Sequence, residues 1–431
     1  MDQLLSYGAF DFFQSKTAVN TGELGDSGLR AQFTYLQKRR DGYADNLLVP
    51  DKLDPGAYNV DAIRASVAYD RSGPLRLDYV FDYNHRKSVA TAYQLASARP
   101  DILDYINASS ALGSATPQIA RDRLGSLSLD DDGPISDKVQ GHALTAELDL
   151  ASNLTLRSIT SYRKWDNSVI NDLDGNANLV GFVVDPILFA GGPFTPLGVQ
   201  PISLFHLTFE RRQHQWTQEL NLLGDIGERT KFVLGAFYFD EVAHEENPTF
   251  LTFILPSAAP IAVTPTVSVN SFGVNIASNM IYRYQSRSKA AFGQIATEVA
   301  DRLSLTGGLR YTHDEKSLRQ TTPFSRDLNR EFNKLNWAVT LDYRLNDTAM
   351  TYARVATGYK AGGFNARSAN NGFEPENLTS YELGIKSELF DHRLRLNAAL
   401  FHAAHKDVQV GQFLAGSGGS LGTTVNAGKA E

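Results

Sequence analysis

Apolar and polar residues alternate with a period of two along most of the chain. In Leu335–Tyr343, the residues Leu335, Trp337, Val339, Leu341 and Tyr343 fall on one face and Asn336, Ala338, Thr340 and Asp342 on the other. Leu75–Tyr83 repeats the arrangement, with Leu75, Leu77, Tyr79, Phe81 and Tyr83 against Arg76, Asp78, Val80 and Asp82. Leu144–Leu150 places Thr145, Glu147 and Asp149 on its polar side, and Tyr381–Leu389 does so with Glu382, Lys386 and Glu388. Successive side chains of a strand point to opposite faces, so this period predicts strands with one apolar face. About fourteen are predicted: 6–17, 27–39, 60–70, 74–88, 138–150, 153–166, 207–223, 230–244, 284–300, 302–318, 332–346, 347–360, 377–390 and 391–407.

The connections alternate in length. Ser72-Gly73, Ala151-Ser152, Asp301-Arg302, Asn346-Asp347 and Asp391-His392 read as tight turns. Longer stretches lie at 40–59, 89–137, 167–206, 245–283, 319–331 and 361–376. Short turns on one side and long loops on the other are the layout of an outer-membrane barrel. All sixteen prolines fall outside the predicted strand interiors, with Pro74 at a strand's first position, as expected of residues that cannot donate to a ladder. Tyr83, Tyr162 and Tyr311 recur about ten residues beyond tight turns, with Tyr359 slightly further. Ten residues at ~3.3 Å each, tilted near 45°, rise roughly 23 Å, the height of an apolar band rimmed by aromatics. Tyr343 is expected on the opposite rim. Phe232–Phe239 is apolar on both faces, so it either packs against something in the lumen or marks a slip in register.

The bulk numbers narrow the class. Hydrophobic residues make up 42% and charged residues 21% of the chain. The apolar run Ile187–Ala190 is stopped by glycines, and Leu251–Val263 is cut by Pro256 and Pro260. No stretch reaches the ~20 apolar residues of a spanning helix, so a membrane would be crossed by strands. A net charge of −7 offers no basic stripe for nucleic acid. The absence of cysteine removes disulfides and thiolate chemistry. Met1–Phe13 shows no export signal; this leaves an upstream segment or a cytoplasmic protein as the two readings.

No catalytic, cofactor or metal constellation stands out. Gly25-Asp26-Ser27-Gly28 has the look of a serine-nucleophile tetrapeptide, but the first histidine is His85, and the stretch reads as a turn. Asp130-Asp131-Asp132-Gly133 lacks the alternate spacing of a calcium loop. His402 and His405 would lie on opposite faces of a strand. Arg39-Arg40 and Arg211-Arg212 are too internal for a twin-arginine signal, and Ala361-Gly362-Gly363-Phe364 lacks phosphate-loop spacing. The chain is therefore read as a non-enzyme with no assigned substrate-binding residue. Parity points Arg76, Asp78, Glu147, Asp149, Arg157, Arg310, Asp342, Arg354, Glu382, Lys386 and Arg395 inward. Such charges line a selective channel or contact a plug, and parity leaves both open.

Several segments carry a resemblance. Arg39-Arg40-Asp41-Gly42-Tyr43-Ala44-Asp45-Asn46, Phe292-Gly293-Gln294 and the hairpin Asp301–Tyr311 are similar to the barrel of TonB-dependent receptors. Tyr352-Ala353-Arg354-Val355-Ala356-Thr357-Gly358-Tyr359-Lys360-Ala361-Gly362-Gly363-Phe364-Asn365, then Phe373-Glu374-Pro375-Glu376 and Tyr381–Lys386, resemble that family most specifically. The resemblance implies an all-β, transmembrane, antiparallel up-and-down barrel, with about 14 strands present of an expected 22. It implies outer-membrane lipid, TonB and a scarce nutrient such as a ferric siderophore as partners in a Gram-negative bacterium. It also implies a plug that carries the TonB-engaging box. Residues 1–431 are expected to be a partial barrel without that plug and without the last strands, ending at Thr423–Glu431 on the start of a further strand. The alternative expectation is a self-contained passive channel of fourteen strands.

Overall fold

The computed structural model describes all residues except 49–53, 72, 131–134, 186–194, 324, 369–371, 417–418 and 431. Ser72 of the first tight turn, Asp131–Gly133 and the run Ile187–Ala190 lie outside the described residues. The elements are β1 (Asp2–Gly8), β2 (Phe12–Glu23), β3 (Leu29–Arg40), β4 (Asp45–Asn46), β5 (Tyr58–Asp70), β6 (Leu75–Ser88), α1 (Pro100–Ala111), β7 (Ser126–Leu127), β8 (Ile135–Ala151), β9 (Leu154–Asp172), β10 (Leu179–Val184) and β11 (Pro196–Ile202). They continue with β12 (His206–Ile226), β13 (Thr230–Ala262), β14 (Ser268–Ala300), β15 (Leu303–Thr322), β16 (Arg326–Asn346), β17 (Ala349–Lys360), β18 (Glu376–Leu389), β19 (Leu394–Lys406), β20 (Gln409–Gly416), β21 (Gly419–Asn426) and β22 (Lys429–Ala430).

Fifteen long strands form one antiparallel meander. It runs β1–β2–β3–β5–β6–β8–β9–β12 and then in chain order to β19, whose end pairs with β22. Among the described residues, β1 pairs with β2 alone, and only His405 and Lys406 are paired on the far side of β19. No described pairing joins these two edges.

The register bears out the predicted faces. Leu309 lies opposite Trp337, Val339 opposite Val355, and Leu383 opposite Leu400. These apolar side chains point away from the lumen and stay open: Leu309 and Leu383 are each 58% exposed. In water such a surface would be a liability, whereas lipid is its natural solvent. No described helix is long and apolar enough to cross a membrane.

Several expectations are corrected. The predicted strand 6–17 is two strands, β1 and β2, folded at Ala9–Asp11, where Phe10 and Asp11 take left-handed φ of 58° and 47°. The expected loop 245–283 is largely strand, because β13 and β14 continue as a 33-residue hairpin. Pro248, Pro256 and Pro260 therefore lie inside β13. At Pro248 the β12 ladder skips from Leu207↔Thr249 to Glu210↔Glu246, and the Asn247 amide donates to the Thr208 carbonyl (2.6 Å) instead. Prolines 256 and 260 sit beyond the last β12 partner, Phe250, where no donor is needed on that side.

The predicted loop 89–137 contains α1. It opens with Pro100 in its first turn, where a missing N–H costs nothing. Its Tyr105 and Ile106 form a small core with Leu179, Val183 and Ile202. The Tyr105 hydroxyl donates to the Phe182 carbonyl (2.9 Å). Gly181 and Gly273 make room for that ring, since a Cβ on either would lie 2.3 or 2.4 Å from the hydroxyl. β10 also pairs in parallel with β14 through Val183↔Gly273, a local departure from the up-and-down scheme. These elements build a packed cap on the long-loop side of the wall.

Candidate functional site

The lumen face is charged from its short-turn end to its long-loop end. Near the short turns, Arg76 holds both Asp149 oxygens (2.7 and 2.9 Å) and reaches Glu147 (3.2 Å), while Arg157 meets the same Glu147 at 2.5 Å. All four were placed inward by parity, and cross-strand register brings them together. Higher up, Arg163 and Asp82 pair at 3.1 Å across Gly141. A Cβ at Gly141 would lie 2.5 Å from the Asp82 carboxylate, so glycine keeps that path open.

Mid-wall, the Arg310 guanidinium lies 5.3 Å from the Phe237 ring and 5.2 Å from the Phe292 ring. This resolves the two-sided apolarity of Phe232–Phe239: the register is continuous, and Phe237 faces inward under a cation. Phe292 covers Gly235, where a Cβ would approach its ring to 2.2 Å. Gly235→Leu is expected to push Phe292 off Arg310 and cost about 1–3 kcal/mol through overpacking; the shift of the urea unfolding midpoint of the complete receptor measures it.

The remaining inward residues form looser contacts. Arg354 lies opposite Glu382 and Asp342 opposite Tyr352. The Tyr352 hydroxyl donates to Glu382 at 2.5 Å, with Lys386 5.4 Å above its ring. Arg395 pairs with Glu388, and Asp78 lies opposite Thr145.

The densest constellation was not anticipated. Glu245 accepts from Arg211 (3.1 Å), Arg367 (3.0 Å) and the Tyr282 hydroxyl (3.1 Å). Both guanidiniums also lie on Phe209, at 4.0 and 5.6 Å from its centre. Arg367 comes from the segment after the Ala361–Asn365 motif, and it also donates to Asn247 (3.0 Å). Arg326 holds the same segment through the carbonyls of Asn365 (2.5 Å), Ala366 (3.2 Å) and Ser368 (3.1 Å). Two arginines sharing one carboxylate beside an aromatic ring leave one positive charge over at the mouth of the lumen. Parity carries a signal for Arg211, which shares a face with Gln213 and Gln215; Arg367 has none.

The other motifs resolve without chemistry. Ser27 accepts from the Leu29 N–H in the β2–β3 turn, where Gly28 has φ of 75°. His402 stacks on Tyr381, while His405 meets Glu376 at 3.1 Å. Tyr359 departs from the expected girdle: its hydroxyl donates to Asp314 (2.9 Å), whose register partner is the buried Phe332. β17 leaves β16 after Ala356, which turns Tyr359 inward. Among the described residues, no group of three His, Cys, Asp or Glu side chains is placed to hold a metal.

Within the cap, burial and the neighbouring Asp172 carboxylate push Asp174 up to about 6. It accepts from the N–H groups of Phe205 (3.0 Å) and Asn176 (2.9 Å) and from the Ser203 hydroxyl (3.2 Å). A raised folded value favours the folded cap below the unfolded carboxyl range near ~4, and that support is lost as pH rises through about 6. The effect is worth roughly 3 kcal/mol at most. Limited proteolysis of residues 173–205 is expected to be faster at pH 8 than at pH 5, and Asp174→Asn is expected to flatten that difference.

The family described as TonB dependent receptor-like, beta-barrel matches residues 79–431. The Pesticin receptor of Yersinia enterocolitica is 31% identical over 151 residues, covering 33% of this chain and 22% of the relative. The crystal structure of the ferric yersiniabactin uptake receptor FyuA from Yersinia pestis superposes with a TM-score of 0.65 at 18% identity, covering 98% of this chain and 55% of that one. The siderophore receptor PiuA from Acinetobacter baumannii gives 0.62 at 14% identity, covering 99% and 59%. The chain thus matches about a fifth of the length of its curated relative and spans a little over half of these solved chains.

Proposed function

The chain belongs to the TonB-dependent receptor-like β-barrel family, a family of outer-membrane transport receptors, and on that premise we propose that it forms barrel wall in an uptake receptor for an anionic iron chelate of the siderophore class. The observation that carries the substrate reading is the pair Arg211 and Arg367 around Phe209 at the lumen mouth. Guanidiniums bind carboxylate and phenolate oxygens through paired N–H donors, and an aromatic face suits a planar chelating ring. Glu245 holds both arginines in place, so little ordering is left for the ligand to drive.

The role is uptake rather than catalysis, as the family is made of transport receptors. Residues 1–431 are proposed as one stretch of a larger barrel domain. Its coupling to TonB would run through a plug elsewhere in the receptor.

The test is uptake of radiolabelled iron by the complete receptor in a strain without other siderophore receptors. A panel of anionic and cationic ferric chelates is screened with and without TonB. Arg211→Ala with Arg367→Ala is expected to lower uptake of the preferred chelate at least tenfold through KM, with receptor abundance unchanged. Uptake that is independent of TonB, or indifferent to both arginines, overturns the reading.

A further inference from the structure

The long-loop end of the lumen carries a second basic surface, on β3, β5 and β6. Register sets Lys38 and Arg86 on either side of Val60, with Arg40 opposite Tyr58 two residues further up β3. Arg86 shares the inward face of β6 with Arg76, and Lys16 of β2 shares that face through its partner Leu36. Three of these cations converge on one ring. Lys38 Nζ and the Arg40 and Arg86 guanidiniums lie 5.5, 5.1 and 5.9 Å from the centre of Tyr58. Like charges gathered in this way repel, and the face of one ring offsets only part of that repulsion.

The carboxylates nearby do not answer these cations. From Lys16, Leu36, Ala62 and Asn84 to the strand ends, the inward positions of β2, β3, β5 and β6 carry no acid. The first one along the wall is Asp137 of β8, opposite Arg86, and it accepts from the Trp165 indole N–H. Four cations thus face one carboxylate. The turns and loops above add Arg121 and Arg123 against Asp11, Asp41, Asp45, Asp54 and Asp122. Asp54 accepts from the Asn46 N–H (2.9 Å) and Asp45 from the Ser126 hydroxyl (3.4 Å), while Asp11, Asp41 and Asp122 are exposed. Among the described residues, none of these six carboxylates forms an ion pair with Lys38, Arg40, Arg86 or Arg123. Arg40 Nη2 donates to the Gly56 carbonyl (2.9 Å), but its Nε is shielded from solvent and has no hydrogen-bond partner.

Beside Arg40 a cavity of about 600 Å³ opens under the loops, within the range of small-molecule sites. Phe10, Tyr43, Leu124 and Leu127 give it apolar walls, and Arg40 and Arg123 give it charge. The Arg123 guanidinium lies 4.3 Å from the centre of the Tyr43 ring, whose hydroxyl accepts from the Ala92 N–H (3.0 Å). Gly56 makes room for that ring next to Arg40, since a Cβ there would lie 2.3 Å from it. We propose that this cavity binds a small organic acid with an aromatic or otherwise apolar body, its carboxylate received by Arg40 and Arg123. Guanidiniums present paired N–H donors to a carboxylate, and Lys38 and Arg86 add to the field that draws it in. The site is separate from the pair Arg211 and Arg367 and does not rest on the substrate assigned to that pair. Arg86 and Arg211 stand on one register row, through Asp137 and Asn167, so three strand spacings of ~4.8 Å put their backbones roughly 14 Å apart.

The experiment uses the complete receptor in detergent and a benzoate that carries a trifluoromethyl diazirine on its ring, with the matching benzyl alcohol as neutral probe. After irradiation, adducts on residues 40–44 and 123–127 are mapped by peptide mass spectrometry. At least fivefold more adduct is expected from the benzoate than from the alcohol, and excess unlabelled benzoate should remove the difference. Arg40→Gln with Arg123→Gln should bring the benzoate down to the level of the alcohol. Lys38→Gln with Arg86→Gln should bring it partway down, and Arg211→Ala with Arg367→Ala should leave it unchanged. An unaltered shift of each variant on boiling in dodecyl sulfate shows that its barrel is intact. Equal labelling by the two probes overturns the proposal, and is the result if another segment of the receptor fills the site with its own carboxylate. An excess that survives loss of Arg40 and Arg123 also overturns it, as does one that disappears with Arg211 and Arg367.

Discussion

Reconstituted on its own, the polypeptide of residues 1–431 is expected to give no heat-resistant barrel, and to gain one when further strands of the receptor are supplied. The reason lies at the two edges of the meander. β19 spans Leu394–Lys406, and among the described residues only His405 and Lys406 are paired on its far side. In an antiparallel strand alternate residues present N–H and C=O to each neighbour, so the unpaired length of β19 exposes about ten such groups. In hydrocarbon each costs several kcal/mol. The total is tens of kcal/mol, several times the ~5–15 kcal/mol that normally separates folded from unfolded states. β1, paired with β2 alone, adds to it. Electrophoresis in dodecyl sulfate with and without boiling reads the outcome. Mobility of the isolated polypeptide should not change on boiling, whereas the completed receptor should run faster before boiling than after. A heat-dependent shift by residues 1–431 alone would mean that β1 and β19 close on each other.

The barrel wall was legible in the sequence for a physical reason. Between the membrane rims one face of each strand meets lipid and the other meets water, so alternation is enforced residue by residue. Leu335–Tyr343 and Leu75–Tyr83 show it, and their faces lie where parity placed them. Beyond the rims the constraint disappears. The upper halves of β13 and β14 have protein or water on both sides, carry Pro248, Pro256 and Pro260, and read as loop. The Ala9–Asp11 turn hid for another reason. Its left-handed positions are held by Phe10 and Asp11, and the only turn formers, Gly8 and Asp11, stand apart among apolar residues rather than as a Gly- or Asn-bearing pair. α1 did leave a trace, in Pro100 followed by Ile102, Tyr105 and Ile106 at helical spacing, but it was submerged in a long polar stretch.

The lumen divides the same way. Arg76, Glu147, Asp149 and Arg157 meet across adjacent strands, where register alone fixes the partners. Arg367 and Glu245 are brought together by a segment folding back over the mouth, and no local period encodes such a contact. Tyr359 shows where parity stops being a guide: β17 loses β16 after Ala356 and continues paired with β18 alone, so its end is held on one side only.

The second large effect belongs to the outer face. Leu309→Arg is expected to destabilise the membrane-embedded receptor by about 2–4 kcal/mol, and Leu345→Arg by only about 0–1 kcal/mol. Both leucines are well exposed, at 58% and 45%, so their accessibility does not distinguish them. Depth does. Leu309 lies opposite Trp337, within the apolar band, whereas Leu345 adjoins the tight turn after Asn346 at the short-turn rim. An arginine at mid-depth must thin the bilayer or draw water in, while one at the rim extends its guanidinium into the headgroups. A difference of about 3 kcal/mol corresponds to a ratio of roughly 150-fold in the folding equilibrium. Urea titration of the complete receptor in phosphatidylcholine vesicles measures both variants against the parent. The exposed inward position Gln294, opposite Gly308, supplies the contrast, because Gln294→Arg adds its charge to the water-filled side and should cost far less than the same charge at Leu309. Equal costs at the two leucines would mean that depth in a bilayer is not what governs this face. A neutral Leu309→Arg would mean that water, not lipid, is its solvent, and the assignment of inside and outside would have to be reversed.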